Sequence, residues 1–139
     1  MKVLLPYNTM VLGTGDLFVE GLKAGDSVRG YHYNEKKIVD FTLTAVTKVD
    51  PVHLVTLHYS MTKPITFCAL TKVLTQGGPI ECYKAPFLMG VCHANPRQLN
   101  MFTKLRVEES RDTVPVYELE WEGQDYFLWA EGILVGSPS

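Results

Sequence analysis

At 139 residues, with 46% hydrophobic and 20% charged side chains, the sequence suits one domain with its own core and is too apolar for wholesale disorder. Its formal charge of -2 leaves no basic excess for sequence-independent nucleic-acid binding, and the pair Lys36-Lys37 reads as a solvated turn. No run of about 18 apolar residues offers a membrane span, and the apolar start of the chain stops at Pro6, too early for a signal peptide. Three cysteines, Cys68, Cys82 and Cys92, leave at least one unpaired within a monomer. The expectation is a reduced, intracellular, cytoplasmic protein.

In chain order, Val19 to Ala24 can make one helical turn before Gly25 ends it. Lys37 to Val49 is rich in β-branched residues and partly alternates, as a half-buried strand does. His53 to Ser60 repeats the alternation, and Ile65 to Leu70 follows the Lys63-Pro64 break, so the two are expected to pair as a hairpin. Ala94 to Phe102 can hold a short helix with Asn95 as N-cap and Pro96 in the first position. Leu105 to Glu108 and Val116 to Trp121 make a second candidate pair. Gly123-Gln124 turns the chain into a last strand from Tyr126 to Ala130. Short strands at fairly even spacing, with no linker or charge block, predict a single all-β domain over residues 1–139. A weak internal echo, Leu22-Lys23-Ala24-Gly25 against Phe87-Leu88-Met89-Gly90, suggests two related halves.

Chemistry-bearing residues are few. Cys92-His93 beside Asn95 could be a nucleophile and base, but neighbours on a strand point to opposite faces, and a buried Cys beside a surface His is the plainer reading. Cys82, Cys92 and His93 lack the paired spacing of a metal site, and His53 and His58 lie on opposite faces, so neither metal nor cofactor is expected. His32 reads as exposed in a turn. Glu118, Glu120 and Glu122 alternate as a solvated face that discourages edge pairing. Alternation in Tyr126-Phe127-Leu128-Trp129 should send a large aromatic outward, which makes Phe127 or Trp129 a candidate binding surface.

Two end motifs carry a resemblance. Leu4-Leu5-Pro6-Tyr7-Asn8-Thr9-Met10-Val11 and Val19-Glu20-Gly21-Leu22-Lys23-Ala24-Gly25-Asp26-Ser27-Val28 open the chain. Val116-Tyr117-Glu118-Leu119-Glu120-Trp121 and Gly132-Ile133-Leu134-Val135-Gly136-Ser137 close it. Together they resemble the Hint domain of hedgehog proteins and inteins. That family opens on Cys-x-Pro-x-x-Thr-x-Val and Ile-Glu-x-Leu-x-x-Gly-Asp-x-Val, carries a Thr-x-x-His motif in the middle, and closes on Gly-Ile-Leu-Val and His-Asn. The resemblance implies a pseudo-symmetric all-β fold and self-cleavage, in which Cys makes a thioester and Asn cyclises with help from His.

The reagents do not carry over. The Cys position falls on Leu4, the middle motif keeps Thr71 but has Leu74 for its His, and His-Asn falls on Gly136 and Ser137. Asp125 sits near a late polar position of some Hint proteins. Only three residues precede Leu4 and two follow Ser137, so a stand-alone domain is expected rather than an insert in a host. On this resemblance Leu4, Thr71, Leu74, Gly136 and Ser137 should line one cleft without its chemistry. The function expected is non-catalytic binding. Its architecture points toward a viral or mobile-element product that sequesters a host protein or small signalling molecule, with a homo-oligomer also expected. The competing readings are an enzyme rebuilt around Cys92 and His93, with Asp125 a further participant, and a structural subunit of a larger assembly.

Overall fold

The computed structural model describes residues 1–13, 16–92 and 95–137. Their strands are β1 (Lys2–Pro6), β2 (Met10–Leu12), β3 (Asp16–Phe18), β4 (Ser27–His32), β5 (Lys37–Val49), β6 (Leu54–Tyr59) and β7 (Ile65–Cys68). The second half adds β8 (Lys72–Thr75), β9 (Gly78–Glu81), β10 (Phe87–Cys92), β11 (Asn95–Ser110), β12 (Val116–Trp121), β13 (Tyr126–Ala130) and β14 (Ile133–Val135). The fold is all-β, and the helical turns among the described residues are two 3-10 turns, Val19–Gly21 and Cys82–Lys84.

One antiparallel sheet runs β1-β12-β5-β4-β13-β14-β10-β11-β6-β7, with β2, β3, β8 and β9 branching from its middle. Its two ends, β1 and β7, lie against each other, so the sheet coils nearly closed around the core. That core includes Leu5, Leu57, Phe67, Leu88, Leu119 and Leu128, each fully buried. Burying side chains of this size contributes about 1.5–3 kcal/mol apiece.

The two halves repeat a plan. Each has a 3-10 turn, a short strand and a long strand: Val19–Gly21, β4 and β5, then Cys82–Lys84, β10 and β11. β4 pairs with the near half of β5, and β10 with the near half of β11. The far half of β5 then takes β12, and the far half of β11 takes β6. Each half thus lends a strand to the other's long hairpin.

Two glycines mark the repeat most clearly. A Cβ on Gly30 would lie 2.2 Å from the Phe127 carbonyl oxygen and 2.4 Å from the Phe41 ring. A Cβ on Gly90 would lie 2.5 Å from the Gly132 carbonyl oxygen and 2.9 Å from the Phe102 ring. In both halves a glycine inside the short strand lets a backbone and a phenylalanine close in. The Leu-x-x-Gly echo is misplaced by comparison. Leu22 to Gly25 is a turn, with Gly25 at φ 94°, whereas Phe87 to Gly90 lies inside β10.

Three other expectations change. The helix over Ala94 to Phe102 is replaced from Asn95 by strand β11, in which buried Phe102 alternates with exposed Met101 and Thr103. Pairing with β10 outweighs the local cap signal. Leu105 to Glu108 does not pair with Val116 to Trp121, because the chain crosses between the two halves from Ser110 to Val116. The acidic alternation of Glu118 and Glu120 does not guard an edge, since β12 is hydrogen-bonded by β1 on one side and β5 on the other. The β6–β7 hairpin forms as expected, with Leu54 opposite Cys68 and Leu57 opposite Ile65.

Candidate functional site

The opening motif builds a turn. Asn8 sits at φ 70°, the Thr9 hydroxyl donates to the Pro6 carbonyl at 2.7 Å, and the Asn8 N–H donates to Glu20 Oε1 at 2.8 Å. Further along, the Lys23 N–H donates to Asp26 Oδ2 at 3.0 Å around Gly25. Pro6, Thr9, Glu20, Gly25 and Asp26 match the family motif, and each of them shapes backbone.

Thr71 clips this opening to the middle of the chain. Its hydroxyl donates to the Leu4 carbonyl at 2.6 Å, its N–H donates to the Cys68 carbonyl at 2.9 Å, and its own carbonyl accepts from the Cys82 N–H at 2.8 Å. The hydroxyl therefore holds the peptide that follows Leu4. Thr71 is 1% exposed, and Leu4 is half-buried against Leu54, Cys68 and Val116.

Leu74 is in the interior, one residue beyond the partner of Val135. Its side chain is 1% exposed within the main core, and its strand β8 pairs Leu74 with Pro79 and Val73 with Val135.

The closing motif returns to the opening one. The Gly136 N–H donates to the Lys72 carbonyl at 3.0 Å, and Ser137 and Lys2 exchange N–H to carbonyl bonds of 2.9 and 3.0 Å. Gly136 has φ 153°, and a Cβ there would meet Met1 Cε and the Trp121 ring at 3.2 Å and the Phe127 ring at 3.3 Å. Three apolar side chains thus stand where a side chain on residue 136 would begin. The Thr71 hydroxyl joins Thr71 to Leu4, backbone bonds tie Gly136 to Lys72 and Ser137 to Lys2, and the Leu74 side chain joins the core.

Two buried thiols flank the Thr71 clip. Cys82 Sγ lies 3.3 Å from the Cys68 carbonyl, and burial pushes the Cys68 thiol up to about 11 and the Cys82 thiol to about 12. Neither is a thiolate at neutral pH, so neither is an activated nucleophile. The side chain of Cys92 and all of His93 lie outside the described residues. Asp125, at φ 64°, accepts from Asn34 Nδ2 at 2.6 Å on a surface turn. No group of three potential metal ligands occurs among the described residues.

The aromatic surface expected at Phe127 or Trp129 is absent. Phe127 is 3% and Trp129 1% exposed, while Leu128, on the opposite face, is also fully buried. β13 lies in the middle of the coiled sheet, between β4 and β14, and both its faces are covered. Phe127 packs edge-on to Tyr33 with ring centroids 6.4 Å apart, and Trp129 tilts against Tyr31 at 6.2 Å. Strand alternation exposes one face only where the sheet has an outside.

Two surface hollows of about 480 Å³ each are present. One is lined by Lys48, Val49, Asp50, Pro51, Thr113 and Val114, with Pro115. The other lies over Met1, Pro79, Trp121 and Phe127, with Glu122 and Asp125 at its rim. None of the five residues expected to form a cleft lines either hollow. The contribution of Met1 and Trp121 to closing the site had one sequence signal, the apolar face of Val116 to Trp121. Nothing local indicated that Met1 would reach it.

No family model and no curated protein matches this sequence. Solved structures do match its fold. A DnaB intein from Synechocystis sp. PCC 6803 superposes with a TM-score of 0.81 at 11% identity, over 98% of this chain and 99% of that one. A bacterial intein-like domain from Clostridium thermocellum gives 0.75 at 18% identity, over 97% and 99%. A gp41-1 intein gives 0.73 at 19% identity, over 99% of each chain. The chain is a Hint-like domain in fold.

Proposed function

We propose that this Hint-like domain has lost self-processing and acts by binding. The observation that carries the reading is the surroundings of Gly136. A histidine there would start in a backbone conformation that strains any L side chain, against Met1, Trp121 and Phe127. Met1, Trp121 and Phe127 would each have to give way by a few tenths of an ångström to admit it. With Leu at 4 and 74 and Ser at 137, the acyl shift and the cyclisation both lack their reagents. The surviving motif residues are the ones that bend and clip backbone, which is what selection for the fold alone would keep.

Binding is favoured by what remains on the surface. Met61, Leu70 and Leu105 are all more than half exposed, and burial of such side chains on a partner is a source of association energy. A host protein or a small signalling molecule, met by a viral or mobile-element product, is the class of partner this architecture suggests. Native mass spectrometry of the protein drawn from its source tests both parts. The expected spectrum holds the uncleaved chain with a retained partner or ligand. Uncleaved chain without any companion overturns binding, and fragments ending at Val3 or Ser137 overturn the loss of processing.

A further inference from the structure

The turn between β12 and β13 forms one wall of the hollow over Met1, and it is held in place by its own sequence. Gly123 sits at φ 107°, where a Cβ would overlap the Tyr126 ring, so the turn needs glycine here. Asp125 follows at φ 64° and is tied twice to the β4–β5 turn. Its carbonyl accepts from the Tyr33 N–H at 2.9 Å, and its Oδ2 accepts from Asn34 Nδ2 at 2.6 Å. Trp121 Nε1 donates to the Tyr126 carbonyl at 3.0 Å across the same turn. A wall fixed in this way spares a ligand the cost of ordering it.

Floor and rim differ in chemistry. Met1, Trp121 and Phe127, the side chains that close round Gly136, make the floor together with Pro79. On the rim Glu122 is exposed and Asp125 half-buried. No lysine, arginine or histidine lines the hollow, and neither carboxylate takes part in an ion pair among the described residues. The Met1 ammonium, the positive group of the lining, donates to the Trp121 carbonyl at 2.9 Å. At about 480 Å³ the hollow falls in the range of small-molecule sites, about 300–1,000 Å³. An apolar floor beneath carboxylates without a paired cation complements an organic cation and repels an anion.

We propose that this hollow binds a small organic cation, with its ammonium head between Glu122 and Asp125 and its apolar body over Met1 and Pro79. The proposal rests on the reading that the domain acts by binding, and it narrows the partner to a small molecule of positive charge. Both carboxylates are in contact with water, so either alone adds little. Affinity comes from the head and the apolar body together, and it weakens as salt screens the head.

Heteronuclear NMR of the isotope-labelled full chain is the test, with benzyltrimethylammonium as the cation, benzyl alcohol as a neutral counterpart and phenylacetate as an anion. The expected result is saturable shifts from benzyltrimethylammonium, centred on the amides of Glu122 to Asp125 and the Trp121 indole N–H, and diminished by salt. Benzyl alcohol should bind more weakly and phenylacetate not at all. Glu122→Gln should weaken binding of the cation, and so should Asp125→Asn, which keeps a residue that tolerates the positive φ. The double variant should lose binding while the rest of its spectrum stays that of the folded protein. Absence of saturable shifts at the hollow overturns the proposal. So does equal binding of benzyl alcohol, or binding that the folded double variant retains. Those outcomes leave the broader reading to the native mass spectrum, where a retained companion of another kind would still support it.

Discussion

The residues of this chain that match the Hint motifs are ones that hold backbone, and the positions proposed to have lost their reagents are Leu4, Leu74, Gly136 and Ser137. Thr9, Glu20 and Asp26 each make a short hydrogen bond that fixes a turn. Leu74 is a fully buried core side chain, so that Leu74→Ala should cost about 2–5 kcal/mol in a urea titration. Leu4→Ala should cost less, because Leu4 is only half-buried. Gly136→His combined with Ser137→Asn should lower the melting temperature and yield no cleavage, because the ring must displace Met1, Trp121 or Phe127. Cleavage by that double variant, read by intact mass, would show that the site is closed only loosely. Gly30→Ala and Gly90→Ala should each destabilise by about 1–3 kcal/mol or more, since the added methyl meets a backbone carbonyl that cannot swing aside.

At the scale of elements, strands whose pattern reflects one covered face were legible. Lys37 to Val49 and Val116 to Trp121 have the bounds their alternation predicts. The bounds of β13, Tyr126 to Ala130, were legible as well, but not the burial of both its faces, because the coiling that encloses it depends on distant pairings. The same limit hid the partners of β11. Its sequence contains a capping signal at Asn95-Pro96, but its conformation is set by β10 and β6, which arrive from different parts of the chain. Of the candidate site, the identity of each substituted position could be read from the motifs. The filling of the Gly136 surroundings by Met1 could not, because that contact spans the whole chain.

For the whole molecule, the buried thiols and Tyr59 make stability sensitive to alkali. The Tyr59 hydroxyl, which donates to the Ala85 carbonyl, is pushed up to about 12 by burial, as is Cys82, with Cys68 at about 11. Unfolded, the thiols ionise from their ordinary 9.0 and the phenol from 10.0. A raised folded value means that the stabilisation is complete below about pH 9 and is lost as pH climbs toward 11 and 12. The urea midpoint should therefore fall between about pH 9 and pH 11, and Cys82→Ala should flatten that fall. At neutral pH iodoacetamide should leave Cys68 and Cys82 unmodified until the protein is unfolded.

The proposal that this Hint-like fold no longer processes itself is tested most directly by time. The purified chain is incubated with a small thiol or hydroxylamine, either of which would release an acyl intermediate, and its intact mass is followed. A single species near 15.6 kDa throughout is the expected result. Fragments that accumulate with time, and that one point substitution at Leu4, Thr71 or Ser137 abolishes, would contradict it.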